Sequence, residues 1–539
     1  MTESRPWWQT GVIYQVYPRS FQDSNGDGVG DLEGIRQRLD YLVWLGVDAL
    51  WLSPFYPSPQ ADFGYDVADY CGVDPLFGDL GAFDRLVADA HARGLRVIVD
   101  WVPNHSSDQH PWFEESRRSR DSEKRDWYVW RDPTPDGAPP NNWLSAFGGP
   151  AWTLDEATGQ SYLHSFLREQ PDLNWRSPAL RAAMLDTLRF WMARGVDGFR
   201  IDVAHHVLKD PGLRDNPPNP APSGGHKPVS PYDSQLHVHD KDHPDAHALY
   251  REVRAVVDGF DDRERVTLGE IHLPDALDRW AAYYGGEALD EIHMPLNFGL
   301  LNVEWTAAGL RQHVVAIEAV LPAGAWPNYV LGNHDERRLA ARLGPERARL
   351  AALLLLTLRG TPTLYYGDEL GISKVVVPAD RVRDPMGTRS GVPGLGRDSG
   401  RTPMAWDTSL TAGFSTEPPD RLWLPLHNRW ESENVALQSK DEGSMISLYR
   451  ALLGIRRERP ALRSGVYRPL PYPSDTVFAF ERRFGSDRVV VIMNLSDEPA
   501  IMSLKAHPVL STLPGPVSRD RLRPWEGRIV EPADRRSSA

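Results

Sequence analysis

Short apolar runs alternate along the chain with segments whose apolar residues recur at helical spacing. The apolar runs predict eight strands, at residues 11–17, 47–52, 95–102, 196–201, 266–270, 289–294, 329–332 and 361–366. Apolar and polar residues do not alternate cleanly in these runs, which is typical of parallel strands buried on both faces. Between strands, helical spacing is seen at Ile35, Leu39, Leu42 and Leu45. Eight strands joined by helices predict an α/β fold, a (β/α)8 TIM barrel.

Two insertions and a terminal segment depart from this alternation. Residues 106–170 lose the periodicity and are rich in Trp, Pro, Asn and Gly, which predicts a subdomain inserted after the third strand. A second irregular insert covers about 371–411. From residue 464 to 539 the chain turns strand-like, as in VFAFERRF and RVVVIMNLS, and we expect a C-terminal antiparallel β-sandwich. Residues 1–105 and 171–463 then form the barrel.

Composition excludes several classes of function. The formal net charge of −14 disfavours nucleic acid and anionic membrane surfaces, which need a basic footprint. The single cysteine, Cys71, excludes an intramolecular disulfide framework and fits a reducing compartment. The N-terminus, MTESRPWWQTG, lacks the features of a signal peptide, and the apolar run at 350–358 is too short to cross a bilayer. We therefore expect a cytoplasmic protein; the sequence does not indicate its oligomeric state.

Four short segments place chemical groups at strand ends. GFRIDVAHH holds Arg200 and Asp202, which project from one face of a strand because they are two residues apart. In LGEIH, Glu270 ends another apolar run. LGNHDE offers His334 and Asp335, and DWVPNH offers Asp100 and His105. All four segments lie at the ends of predicted strands. The active site of such a barrel lies at the C-terminal strand ends, so we expect these side chains to meet.

The order and wording of these segments resemble the α-amylase family of glycoside hydrolases over nearly the whole chain. Retaining members need two carboxyl groups about 5–5.5 Å apart, one a nucleophile and one protonated. The resemblance implies that Asp202 is the nucleophile, kept ionised by Arg200, and that Glu270 is the acid/base, with a pKa raised by a drier setting. Asp335 would grip sugar hydroxyls and stabilise the oxocarbenium-like transition state.

Further side chains are expected to hold the sugar. His105 and His334 would bind ring hydroxyls as neutral imidazoles, and Asp66, in FGYDVADY, resembles the family's aspartate that holds the innermost sugar. With Arg401 of RTPM, Asp66 would pin a terminal glucose and close the pocket. Two aromatic residues are interpreted either as stacking near the pocket or as subdomain core: Phe147 and Phe166. Asp100 is expected to order strand ends, and His205 and His206 are given no role.

The loop DSNGDGVGD predicts a structural metal site. Asp23, Asn25, Asp27, the Val29 carbonyl and Asp31 stand at alternating positions, as in a calcium loop. The loop departs from the EF-hand pattern, because Gly34 occupies the twelfth position. Hard oxygen ligands favour Ca²⁺, or Mg²⁺ in a tight cage; the alternative is an Asp/Gly turn without metal. No organic cofactor is expected.

Two features narrow the branch of the family. QPDLNW at residues 170–175 resembles the corresponding segment of α-glucosidases and oligo-1,6-glucosidases. A valine directly after the nucleophile, as at Val203, is associated with action on α-1,6 links in related enzymes. Such a steric contact is worth about 1–3 kcal/mol and biases the choice of linkage. We predict an exo-acting retaining α-glucosidase that releases glucose from the non-reducing ends of short α-glucosides, α-1,6 links among them, and also transfers glucose to other acceptors. Alternatives are a sucrose isomerase or trehalose-forming synthase, or a catalytically inactive carbohydrate-binding scaffold.

Overall fold

The computed structural model describes residues 5–260 and 262–533. The strands in chain order are β1 Ile13–Val16, β2 Ala49–Leu52, β3 Arg96–Trp101, β4 Trp130–Arg131, β5 Trp152–Asp155, β6 Gln160–Leu163, β7 Gly198–Ile201, β8 Val266–Glu270, β9 Met294–Asn297, β10 Asn328–Tyr329, β11 Thr363–Tyr365, β12 Val466–Leu470, β13 Val477–Phe484, β14 Asp487–Asn494, β15 Ala500–Ile501, β16 Ala506–Ser511, β17 Arg521–Leu522 and β18 Gly527–Pro532. The α-helices are α1 Trp7–Thr10, α2 Pro18–Phe21, α3 Leu32–Gln37, α4 Leu39–Leu45, α5 Leu80–Ala92, α6 Pro111–Ser116, α7 Pro178–Ala193, α8 Ala246–Asp258, α9 Leu277–Ala282, α10 Gly299–Asn302, α11 Ala307–Val320, α12 Leu339–Leu343, α13 Pro345–Thr357, α14 Pro385–Arg389, α15 Val435–Gln438, α16 Met445–Glu458 and α17 Pro460–Ser464.

Eight strands form one parallel sheet that curls into a nearly closed barrel. Their order is β10, β9, β8, β7, β3, β2, β1, β11. Ile13 faces Ala49 on one side and Thr363 on the other, so the first strand of the chain lies beside the last one of the barrel. At the seam between β10 and β11, the Thr361 N–H donates to Pro327 O at 3.0 Å. The predicted (β/α)8 barrel is confirmed.

The predicted sixth strand is displaced along the chain. It was expected at 289–294 but β9 occupies Met294–Asn297. Leu289 has a left-handed conformation, with φ 51°, which ends a short turn and cannot belong to a strand. Glu291 and His293 are buried polar residues just before the strand, and pairing with β8 begins after them, at Met294. The seventh strand also starts one residue earlier and is shorter, at Asn328–Tyr329.

Two layers of apolar side chains surround the strands. One layer fills the barrel interior and includes Trp51, Ile98, Leu268 and Leu296. The other lies between the strands and the outer helices, and there the expected helical spacing holds, because Ile35, Leu39, Leu42 and Leu45 are all buried. Arg38 separates these four residues into two short helices, α3 and α4. Among the described residues, every helix is too short or too polar to span a bilayer.

Three segments extend the barrel. Within 106–170, strands β4, β6 and β5 form a small antiparallel sheet next to α6. The stretch between β11 and α15 is mostly irregular and runs beyond the expected 371–411 insert. At the C-terminus, β12, β13, β14, β18 and β16 form a five-stranded antiparallel sheet, with β15 and β17 as a second pair. One face of the larger sheet packs on that pair, and the other packs on the barrel helices.

Candidate active site

One buried guanidinium gathers three carboxylates at the C-terminal end of the barrel. Arg200 Nη1 donates to Asp100 Oδ1 at 2.7 Å and to Asp202 Oδ1 at 2.6 Å. The other terminal nitrogen, Nη2, donates to Glu270 Oε2. All four residues are at most 6% exposed. The side chains of Asp202 and Glu270 therefore converge on one point, as the sequence analysis requires.

Strand register explains this convergence. Arg200 on β7 faces Asp100 on β3 directly across the sheet. Asp202 follows the last residue of β7, and its N–H donates to Trp101 O at 2.8 Å. Glu270 ends β8, the next strand around the barrel. Asp100 is held further by Trp51 Nε1, which donates to it at 3.0 Å, so it orders the strand ends as expected.

The charges of the cluster differ from the expectation. Burial raises the pKa of Asp202 well above its ordinary value, against the opposing effect of Arg200. Burial acts in the same direction on Glu270, but Arg200 and His272 outweigh it and hold the pKa of Glu270 well below its usual range. The reason is that the guanidinium is shared: it contacts Glu270 as closely as Asp202. Because Asp100, Asp202 and Glu270 share one guanidinium, their protonation is linked: the charge on one carboxylate raises the pKa of its neighbours.

Val203 links Asp202 to Glu270 through its backbone. Its φ and ψ are 35° and 48°, a left-handed conformation that β-branched residues rarely adopt. In this conformation its N–H donates to Glu270 Oε2 at 3.1 Å. Strain of roughly 1–3 kcal/mol is held at such positions only where the surroundings over-determine them, and they cluster at active sites. Val203 thus positions Glu270 through its backbone, a role that the sequence analysis did not consider.

Asp335 lies in a second cluster beside the first. His334 Nε2 lies 3.3 Å from its carboxylate, and Arg397 and Arg401 donate to Asp335 Oδ1 at 3.0 and 3.1 Å. Burial raises the pKa of Asp335, but its charged neighbours, among them Arg397, Arg401 and Lys227, outweigh it and hold the pKa well below its usual range. The side chain is 25% exposed, so it is more open to solvent than Asp202 and Glu270. Arg401 also donates Nε to His334 O at 2.8 Å and thereby orients both neighbours.

The two predicted imidazoles are buried and neutral. Burial lowers the pKa of His334 to about 3 and that of His105 to about 4. Tyr65 stacks on His334 with ring centroids 5.1 Å apart, which fixes the plane of the imidazole. His105 Nε2 lies 3.1 Å from Gln170 Nε2, at the start of the QPDLNW segment.

Asp66 does not occupy the predicted position. Its carboxylate is fully buried and accepts the N–H groups of Ala61 and Asp62 at 2.7 and 2.9 Å, so it closes its own loop. Burial raises its pKa to about 6. The carboxylate that faces the site is Asp62, which pairs with Arg397 Nη2 at 2.6 Å. The Asp66–Arg401 pair expected from sequence is therefore wrong, and Asp62 with Arg397 stands in its place.

Two aromatic residues lie beside this end of the site. The guanidinium of Arg397 lies 5.1 Å from the centroid of the Phe147 ring, and the ring is 4% exposed. Phe166 lies between His105 and His206, with centroids 5.2 and 5.4 Å away. Both rings therefore pack against residues of the site, Arg397 and His105, and neither packs only within the inserted subdomain.

Sequence reasoning missed three residues of the site: Asp62, Gln170 and Arg397. Each stands in a segment that contained a second residue of the same type or a recognised motif. DFGYD holds two aspartates and GRDSGR holds two arginines, and residue spacing alone does not distinguish the two members of each pair. The adjoining Asp384, which pairs with Arg397 at 2.6 Å, follows no strand and left no signal in the sequence.

The predicted metal loop is closed by its own hydrogen bonds. Asp23 accepts the N–H groups of Asn25, Gly26 and Gly28 at 2.7–3.1 Å, and Asp31 accepts Ser24 and Gly34. The N–H of Asp27 donates to Asn25, and that of Val29 donates to Asp27. Across residues 5–260 and 262–533, no three His, Cys, Asp or Glu side chains form a group suited to a metal ion. These oxygens do not form a preassembled cage, and calcium binding stays a prediction.

The barrel and its carboxylate cluster define a glycoside hydrolase. A family model described as alpha amylase, catalytic domain, matches residues 15–465. The chain belongs to the α-amylase family.

Relatives share most of the chain. A probable alpha-glucosidase of Rhizobium meliloti (strain 1021) is 42% identical over 93% of this chain and 91% of its own length. An oligo-1,6-glucosidase of Parageobacillus thermoglucosidasius is 35% identical over 98% and 99%. Among solved structures, the alpha-glucosyl transfer enzyme XgtA is 41% identical with a TM-score of 0.91, over 98% of this chain and 100% of its own. The trehalulose synthase MutB from Pseudomonas mesoacidophila MX-45 is 36% identical with a TM-score of 0.84, over 98% and 100%.

Proposed function

We propose that this glycoside hydrolase is an exo-acting retaining α-glucosidase that also transfers glucose to other acceptors. The observation that carries the proposal is the convergence of Asp202 and Glu270 on the Arg200 guanidinium at the mouth of the barrel. Two carboxyl groups that flank one point are what a double displacement at an anomeric carbon requires.

In the first step, Asp202 Oδ attacks the anomeric carbon and the bond to the leaving oxygen breaks. Glu270 gives its proton to that oxygen, and a covalent glucosyl ester forms on Asp202. In the second step, Glu270 takes a proton from water, the water oxygen attacks the anomeric carbon, and the ester bond breaks. Two inversions retain the α configuration. A sugar hydroxyl that enters in place of water gives transfer, and the similarity to XgtA supports this second outcome.

The first step needs a proton on Glu270 and an ionised Asp202. We infer that a glycosyl group seated between the two carboxyls displaces water from Glu270 and so raises the pKa of that carboxyl, whereas Asp202 keeps its contact with Arg200. Asp335 and His334, which is neutral, then hold ring hydroxyls as positive charge develops on the sugar.

The closed end of the site supports attack at chain ends. Arg397 is 7% exposed and binds Asp62, Asp335 and Asp384 at once, which joins three loops into one wall. We infer that a sugar seated against this wall is the non-reducing end of its chain. Asp62 and Arg397 supply an acceptor and donors for the hydroxyls of that terminal glucose.

Linkage and product depend on the other end of the site. Val203 and the similarity to an oligo-1,6-glucosidase support action on α-1,6 links. The similarity to MutB makes sucrose isomerisation the second candidate, since it uses the same covalent intermediate. A cytoplasmic location is proposed on the single cysteine, Cys71, which fits a reducing compartment.

Products on maltose, isomaltose and sucrose, followed by NMR in real time, test the proposal. We expect α-glucose first, together with transfer products at high substrate. Initial release of β-glucose contradicts the retaining mechanism, and isomaltulose or trehalulose as the main product from sucrose selects the isomerase. Asp202→Asn should abolish turnover, and near-normal activity of this variant would show that the nucleophile lies elsewhere.

A further inference from the structure

A cavity of about 340 Å³ opens at the end of the barrel opposite to the carboxylate cluster. Val12 and Asp48 line it just before β1 and β2, and Arg96 lines it at the first residue of β3. Residues of α16 form another wall. The catalytic carboxylates follow the other ends of these strands, so the proposed reaction makes no use of this cavity.

The cavity concentrates positive charge. Four arginines line it together with one carboxylate: Arg96, Arg456, Arg457, Arg463 and Asp48. On a chain with a formal net charge of −14, this is a local reversal of sign. Guanidinium groups gathered around one confined space repel each other unless an anion lies between them.

The arginines are unevenly paired. Arg96 lies 3.5 Å from Asp197, outside the cavity, and Arg457 lies 3.6 Å from Asp48 and donates to Gly46 O at 3.1 Å. Arg463 Nε is buried with no hydrogen-bond partner in the described part of the chain.

Arg456 is different, because it is buried and donates to three backbone carbonyls. Burial lowers its pKa to about 10. It braces the wall, whereas Arg457 and Arg463 have donors left for a ligand.

We propose that this basal cavity binds a small phosphorylated sugar, with Arg457 and Arg463 on the phosphate. The guanidinium fork matches the oxygens of a phosphate group with two parallel hydrogen bonds. The volume falls in the range of about 300–1,000 Å³ that is typical of small-molecule sites, which leaves room beyond the phosphate. Asp48, which accepts the N–H of Val12 at 2.8 Å, supplies an acceptor for a sugar hydroxyl.

Isothermal titration calorimetry with glucose 6-phosphate and with inorganic phosphate tests the proposal on the full chain. We expect glucose 6-phosphate to bind more tightly, and the affinity to fall as salt is added. Arg457→Gln and Arg463→Gln should each weaken binding roughly tenfold or more, because each loses charge-assisted hydrogen bonds to the phosphate. Arg189→Gln removes one exposed positive charge from α7, which does not line the cavity, and should bind like the wild type.

Thermal unfolding in phosphate-free buffer and hydrolysis of 4-nitrophenyl α-glucoside show that the variants are folded. Absence of binding to the wild type at millimolar glucose 6-phosphate overturns the proposal, and so does equal affinity in Arg463→Gln. Tighter binding of inorganic phosphate than of the sugar phosphate overturns the ligand class. Because hydrolysis is measured separately, failure of this site is distinguishable from failure of the proposed glucosidase.

Discussion

Asp62→Asn and Asp66→Asn form a matched pair, because both aspartates are buried in one loop, four residues apart. Asp62 faces Arg397 and the pocket, whereas Asp66 accepts two N–H groups of its own loop. The same chemical change should therefore lower activity at the first position and stability at the second.

The magnitudes follow from the hydrogen bonds. Asp62→Asn replaces a charged acceptor for a sugar hydroxyl with a neutral one, a loss of about 1.5–3 kcal/mol in transition-state binding. This corresponds to a fall in kcat/KM of roughly 10- to 150-fold. Asp66→Asn keeps one carbonyl oxygen for two N–H donors, so one buried donor loses its partner, at a cost of about 1–3 kcal/mol of unfolding free energy.

The assays are kcat/KM on 4-nitrophenyl α-glucoside and urea unfolding followed by tryptophan fluorescence. Asp66→Asn that is folded should retain kcat/KM within a few-fold of the wild type, and it serves as the control for Asp62→Asn. A large activity loss in Asp66→Asn with unchanged stability, together with full activity in Asp62→Asn, would refute the assignment of the closed end.

Three further predictions address charge and metal. His272→Gln removes a neighbour that lowers the pKa of the acid Glu270, so the alkaline limb of the kcat/KM profile should move to higher pH; an unmoved limb argues against Glu270 as the acid. Burial raises the pKa of Glu336, but Lys227 and His226 outweigh it and lower this pKa to about 2. Ionised Glu336 therefore stabilises the folded state by about 3 kcal/mol at pH values above its ordinary pKa, and this stabilisation is lost as the pH falls from about 4.5 to about 2. Glu336→Gln should flatten this loss in urea unfolding at acid pH, and an unaltered dependence would assign it to other groups. Calcium bound at residues 23–31 should raise Tm when added after chelation, and equal Tm values would reject that site.

The barrel was predictable because its signals are local and repeated. Apolar runs buried on both faces mark β2, β3, β7 and β8 to within a few residues. The displaced β9 shows the limit: the apolar Leu289 lies in a left-handed turn, and the buried Glu291 and His293 belong to the packing before the strand. A pattern of polarity does not reveal such tertiary burial.

The candidate site was predictable where side chains follow strands and less so where they come from loops. Asp202, Glu270 and Asp335 meet as expected, since strand order determines their placement. The choice between Asp62 and Asp66 depends on which carboxylate turns toward the loop backbone. The linked protonation of Asp202 and Glu270 depends on Arg200, whose two terminal nitrogens serve different carboxylates. Neither orientation is encoded in residue spacing.

The pairing of β1 with β11 means that the barrel cannot be completed until late in the synthesis of the chain. Ile13 is synthesised long before Thr363, its partner in the β-ladder. One edge of β1 therefore stays unpaired in the nascent chain for most of translation. Products that stop before residue 363 keep that edge exposed and should associate with chaperones or aggregate. Translation that pauses within this interval would lower the yield of active enzyme without any change in the finished molecule.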